Sequence, residues 1–154
     1  MAQYQLVHFN LNGKDVERMV DVRANLTDML RNDYHMTSVK KGCEVGECGA
    51  CNVIIDGECF NSCIYLAVWA EGKNIRTLEG LEKNGELTRI QEAFIEEGAV
   101  QCGFCSPGMI LATCALLHPR LYHDGGGDFG ERQALHGRGA AQAPLRAPVP
   151  LHRL

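Results

Sequence analysis

Four cysteines, Cys43, Cys48, Cys51 and Cys63, are the residues best placed to do chemistry. Three fall within one short run, Cys43-Glu-Val-Gly-Glu-Cys48-Gly-Ala-Cys51, a C-x4-C-x2-C spacing, and Cys63 lies farther along. That pattern suits a 2Fe-2S cluster. Two tetrahedral irons share two sulfides, so each takes two cysteine sulfurs, and one loop must bend to deliver three of the four. Gly42, Gly46 and Gly49 allow such a bend and let backbone N–H groups approach the sulfurs, which with burial sets a reduction potential. A structural zinc site is the alternative, but zinc cysteines usually come as paired C-x2-C knuckles, and only half of this loop fits. Cys59 competes with Cys63 as fourth ligand; otherwise it reads as a small buried apolar side chain in a hairpin.

Composition narrows the setting. Eight cysteines behind an N-terminus with no basic-then-apolar segment favour metal over disulfides, since cytosolic thiols stay reduced, and the expected location is the cytoplasm. The longest apolar run, Ile64 to Ala70, is far shorter than the roughly 20 residues that span a bilayer. A formal net charge of -4 gives no electrostatic reason to bind nucleic acid or anionic lipid, so the expected partner is a protein or small molecule. His8 and His35 do not sit in a spacing with two cysteines that a Rieske site requires, and read as solvated or partly packed. Glu44, Glu47 and the Glu96-Glu97 pair read as solvated charges, of which those in the loop would lower a cluster's potential. Trp69 reads as core or subunit contact.

The elements that must position these residues are legible. Tyr4 to Leu11 alternates as a strand, Asn12-Gly13 signals a tight turn, and Asp15 to Val22 returns as the second strand. Leu26, Met29 and Leu30 mark a helix capped by Asn25, and the cysteine loop follows from Lys41 to Cys51. Val53 to Ile55, Asp56-Gly57 and Glu58 to Phe60 predict a second hairpin, and Asn74 to Leu78 a closing strand. After Gly80, Leu87, Ile90, Phe94 and Ile95 mark one helix face, and Ser106-Pro107 caps and starts another helix ending at Leu117. That last helix is apolar nearly all round, which requires burial on more than one side, against partner helices or another subunit. The fold class is α+β.

The motifs resemble the iron-sulfur subunit of the molybdenum hydroxylases, the family that includes xanthine dehydrogenase. The resemblance spans residues 3 to 118 and rests on Lys41-Gly-Cys43-Glu-Val-Gly-Glu-Cys48-Gly-Ala-Cys51, Asp56-Gly57, Asn61-Ser62-Cys63 and Gln101-Cys102-Gly-Phe-Cys105-Ser-Pro-Gly-Met109. It implies a plant-type ferredoxin β-grasp domain over residues 1–79, and a second, helical 2Fe-2S-binding domain over residues 80–118. It makes Cys43, Cys48, Cys51 and Cys63 ligands of an outer cluster, Cys102 and Cys105 half the ligands of an inner one, and Gln101 a contact to molybdopterin. Electrons would pass from a molybdopterin-binding subunit through the clusters to FAD in another subunit. Residues 61 to 72, with Ile75-Arg-Thr-Leu-Glu-Gly80, look most like bacterial xanthine dehydrogenase members, which implies xanthine or hypoxanthine oxidation in purine catabolism.

The pattern breaks near its end. The family takes its two remaining inner ligands from a Cys-Arg-Cys-Thr-Gly motif, whereas no cysteine follows Cys114 here, so the helical domain reads as truncated. Cys114, within the last helix, reads as a buried helix residue. Residues 119–154 hold five Arg and no Lys, four of the five Pro, and no Asn or Ile. Two accounts of this tail stand: a one-base frameshift, since codons for Ala134 to Arg138 can read Arg-Cys-Thr-Gly in the adjacent frame, and a natural disordered extension whose composition buries too little apolar surface to fold. Beside the electron-transfer subunit stand two other readings, a free single-cluster ferredoxin-like carrier and a non-functional truncated subunit.

Overall fold

The computed structural model describes residues 3–82 and 84–117; the tail 119–154, with its proposed frameshift, lies outside them. The chain opens as expected with strands β1 (Tyr4–Leu11) and β2 (Lys14–Asp21), antiparallel across a turn in which Asn12 and Gly13 both take positive φ. That type I′ geometry matches the twist of a two-residue hairpin. Strands β3 (Asn52–Ile55) and β4 (Glu58–Asn61) repeat the device at Asp56 and Gly57, and β5 (Asn74–Arg76) closes a five-stranded sheet ordered β2-β1-β5-β3-β4. Only the β1–β5 pair is parallel.

Alternation on β1 turns Val7, Phe9 and Leu11 inward, where they meet Val53, Ile55 and Ile75 of the sheet, Leu26 of the short helix that follows β2, and Met29 and Leu30 just beyond it. Helix α1 (Leu26–Asp28) is capped as the sequence predicts, the Asn25 side chain accepting from the Asp28 N–H at 2.8 Å. It then widens into a π-turn over Met29–Asp33, which periodicity did not foretell. Arg31, within that turn, donates to the carbonyls of Val39 at 2.7 Å and Thr37 at 3.2 Å, holding the approach to the cysteine loop.

The opposite face of the sheet is covered too. Ile54, buried between Val53 and Ile55, points away from α1 and packs with Leu81 and with Ile110, Leu111 and Cys114 of helix α3 (Ser106–Leu117). Helix α2 (Arg89–Glu96) joins this second core through Ile90 and Phe94. It begins at a capping box in which the Thr88 hydroxyl accepts from the Gln91 N–H and the Gln91 side chain accepts from the Thr88 N–H. Two residues of the expected apolar face fall elsewhere: Leu87 precedes the cap, and Ile95 is exposed, one residue round from Phe94. Helix α3 starts at Ser106 itself, so the flanking position belongs to Cys105, whose carbonyl accepts from Met109. Its apolar surface covers β3 as well as α2, while Met109, Leu116 and Leu117 stay exposed. Among the described residues no helix is long and apolar enough to cross a membrane.

One small residue locks the β1–β2 turn to the end of the sheet. Asn12 donates to the Thr77 hydroxyl at 3.0 Å and accepts from the Thr77 N–H at 2.9 Å, and its side chain fills the space where a Cβ on Gly80 would stand. Gly80→Ala is therefore expected to displace the Asn12 amide and leave the Thr77 N–H without its acceptor, at a cost of about 1–3 kcal/mol. Urea unfolding should show the loss as a lower midpoint with an unchanged slope.

Candidate metal centre

The loop from Lys41 to Cys51 is irregular and set by left-handed residues. Gly46 and Gly49 supply two of them, as their residue type suggests, and Glu44 the third at φ 58°. Glu44 was legible only as a solvated charge; it also pairs with Lys41 at 3.1 Å, and Lys41 reaches Asp28 of α1 at 2.9 Å, so the loop is tethered at its start. Gly42 lies in the bend as expected and also makes room for a sulfur, since a Cβ there would stand 2.9 Å from the Cys48 sulfur. This turn sequence aims backbone N–H groups inward. Those of Glu47 and Cys48 donate to Cys43 Sγ at 3.3 Å each. With that of Val45, the largest contributor, they bring the Cys43 thiol down to about 6.

Cys63 arrives from the far end of β4. Asn61 donates to the Gly46 carbonyl at 2.5 Å, and Ser62 donates through its hydroxyl to the Cys51 carbonyl at 2.7 Å and through its N–H to the same oxygen at 3.3 Å. With its one proton so committed, the Ser62 oxygen accepts from the Thr27 hydroxyl at 2.6 Å, both side chains fully buried. Thr27 and Ser62 were not anticipated as site residues. The signal available was two polar residues beside otherwise apolar stretches, and buried hydroxyls need partners.

Four thiols thus meet as two pairs. The Cys43 and Cys48 side chains interact electrostatically, as do those of Cys51 and Cys63, and Cys63 also feels Cys43. Burial, and then the Cys51 side chain, pushes Cys63 up to about 11. Among the described residues no three His, Cys, Asp or Glu side chains converge on the position of a single ion. Two pairs of sulfurs are what two irons sharing sulfides take up, so this donor set fits a 2Fe-2S cluster. Cys59 pairs with Ile54 across the hairpin and shares its side of the sheet, opposite the core that holds Cys51 and Cys63; it is exposed, where the sequence suggested burial.

The remaining candidates are placed as follows. Cys102 and Cys105 are exposed on the bend leading into α3, and Gln101 beside them is exposed. Phe104 between them brings its ring to 3.7 Å from the Cβ position of Gly42, so the C-x2-C bend lies against the first loop. Cys114 is fully buried among Ile54, Ile110 and Leu111, and burial raises its thiol to about 11. His8 lies between Glu17 at 3.3 Å and Glu71 at 3.6 Å on the outer sheet, and Trp69 is exposed, stacked edge-on to Tyr65, outside the core.

A ferredoxin-like α+β fold that gathers four thiols from one loop and one strand end defines a class, the small iron-sulfur electron carriers. The profile of the 2Fe-2S iron-sulfur cluster binding domain matches residues 9–78, and that of the 2Fe-2S binding domain matches residues 77–125. The chain is 50% identical over 111 residues to the xanthine dehydrogenase iron-sulfur-binding subunit of Escherichia coli O157:H7, covering 72% of this chain and 69% of that one. To the nicotinate dehydrogenase small FeS subunit of Eubacterium barkeri it is 47% identical, covering 72% and 71%. A solved chain of quinoline 2-oxidoreductase from Pseudomonas putida 86 superposes with a TM-score of 0.74 at 39% identity, covering 77% of this chain and 74% of that one. The chain belongs to the electron-transfer iron-sulfur subunits of the molybdenum hydroxylase family.

Two outcomes check the site. Backbone N–H groups favour the thiolate of Cys43 and burial favours the thiol of Cys63, so in apo-protein at pH 7 iodoacetamide mapped by mass spectrometry should label Cys43 first and Cys63 late. Labelling of Cys63 ahead of Cys43 would contradict the geometry. After reconstitution with iron and sulfide, Cys63→Ser should weaken the EPR signal of the reduced protein and Cys59→Ser should leave it intact; the reverse would make Cys59 the fourth ligand.

Proposed function

We propose that this chain is the electron-relay subunit of a cytoplasmic xanthine- or hypoxanthine-oxidising complex, seated between a molybdopterin-binding subunit and an FAD-binding subunit. The fastening of the loop that carries Cys43, Cys48 and Cys51 to the end of β4 that carries Cys63 carries the reading, because it supplies the four sulfurs that two irons take up. A 2Fe-2S cluster bound there supplies one-electron redox chemistry. The chain's own residues do the rest. Backbone N–H groups at Glu47 and Cys48 stabilise negative charge on Cys43 Sγ, and Ser62 fixes the spacing of Cys51 and Cys63. Substrate chemistry belongs to the partner, since a relay subunit positions a cofactor and tunes it.

Residues 1–79 form the outer-cluster unit and residues 80–118 the helical unit in this reading, which the meeting of the two family profiles at residues 77–78 supports. Cys102 and Cys105 supply two ligands toward a second cluster, and Gln101 touches the pterin. The identity to a xanthine dehydrogenase subunit supports the substrate, although the relative named for nicotinate is nearly as similar. The exposed Met109, Leu116 and Leu117 of α3 favour a fixed subunit over a free carrier.

Purification of the native complex tests the proposal. The chain should co-elute with molybdenum- and flavin-containing subunits, and xanthine should reduce its EPR-visible iron. Reduction by nicotinate in place of xanthine would move the substrate, and isolation without partners would support the free carrier. A chain of these 154 residues, reconstituted alone, should bind close to two irons and show one EPR signal, because no cysteine follows Cys114. Twice that iron and two signals would show a complete second site.

A further inference from the structure

The first turn of α3 rests on the backbone of the cysteine loop, and Gly108 is what lets it. A Cβ at position 108 would overlap the Gly49 carbonyl oxygen and stand 3.1 Å from the Gly49 carbonyl carbon and 3.3 Å from Ala50 Cα. Gly49 and Ala50 are the whole segment between Cys48 and Cys51. Asn52 braces the same contact: its Nδ2 donates to the Gly108 carbonyl at 3.4 Å and lies 3.3 Å from where a Gly49 Cβ would be. Phe104, just before the helix, lies over Gly42 on the other side of the loop.

These contacts have an electrostatic consequence. A helix of three turns carries about half a positive charge at its N-terminus, and the influence fades beyond the first turn, so it acts only on groups held in contact with that turn. The three residues that open α3, Ser106, Pro107 and Gly108, are all buried against the rest of the protein. A reduced iron-sulfur cluster carries one more negative charge than the oxidised one, and net local charge is among the factors that set its potential.

We propose that Gly108 is a positioning residue for electron transfer: by carrying no side chain it seats the positive end of α3 on the Cys48–Cys51 backbone and raises the reduction potential of the cluster held by Cys43, Cys48, Cys51 and Cys63. The inference rests on the assignment of a 2Fe-2S cluster to those cysteines. It makes the helical half a tuning element for the first cluster, independent of whether a second is assembled.

The test is an EPR-monitored redox titration of the reconstituted full chain. Gly108→Ala should shift the midpoint potential to more negative values by lifting the first turn off the loop, and Asn52→Ala should shift it the same way by less. Val20→Ala, in the core on the other side of the sheet, should lower the melting temperature and leave the potential where it was. Unchanged or raised potentials in both loop-contact variants would overturn the proposal, as would an equal shift in Val20→Ala. Should Gly108→Ala fail to take up the cluster, Asn52→Ala alone decides. Failure of the wild-type chain to bind any cluster would instead overturn the ligand assignment.

Discussion

The Cys51 carbonyl oxygen is the joint on which the structure turns. It accepts both the N–H and the hydroxyl of Ser62, and so fixes the end of the cysteine loop to the end of strand β4. The approach of Cys63 to the loop depends on that link. Without it Cys63 is related to Cys51 only through the β3–β4 ladder that ends at Asn52 and Asn61, and the buried Thr27 hydroxyl loses the acceptor that ties α1 to both segments. A buried hydroxyl left unpaired costs about 1–3 kcal/mol, so the same contacts that hold the sulfurs also hold the helix on the sheet.

Strand β3 extends that constraint to the second half of the molecule. It begins directly after Cys51, and its central residues are buried on both faces, Val53 and Ile55 toward α1 and Ile54 toward α3. A strand so enclosed cannot shift register without exposing one face or the other. The sulfur of Cys51 is thereby referenced to two cores at once.

Much of this could be read from the sequence because it depends on local chemistry. Asn12-Gly13 and Asp56-Gly57 are turn signals with positive φ at both residues, Asn25 is a cap followed three residues later by its donor, and three cysteines lie in one short loop. What escaped depended on contacts between distant segments. Thr27 and Ser62 are 35 residues apart, and neither advertises a partner. Glu44 takes a conformation that its residue type disfavours, because the turn around Cys43 demands it. The seat of α3 was expected among helices; the uninterrupted apolar run Val53-Ile54-Ile55 was the available sign that a second layer must cover β3.

The two thiol pairs differ in how they come into being. Cys43 and Cys48 are brought together by a turn of six residues, whereas Cys51 and Cys63 meet only after the β3–β4 hairpin has closed and Ser62 has found its acceptor. The first pair depends on contacts local in sequence, and the second on contacts between distant segments. Any group that needs all four sulfurs binds the native state and not the unfolded one, and stabilises the fold by mass action. Cofactor loading and folding are then a single equilibrium, and metal retained by the chain is a measure of how much of it is native.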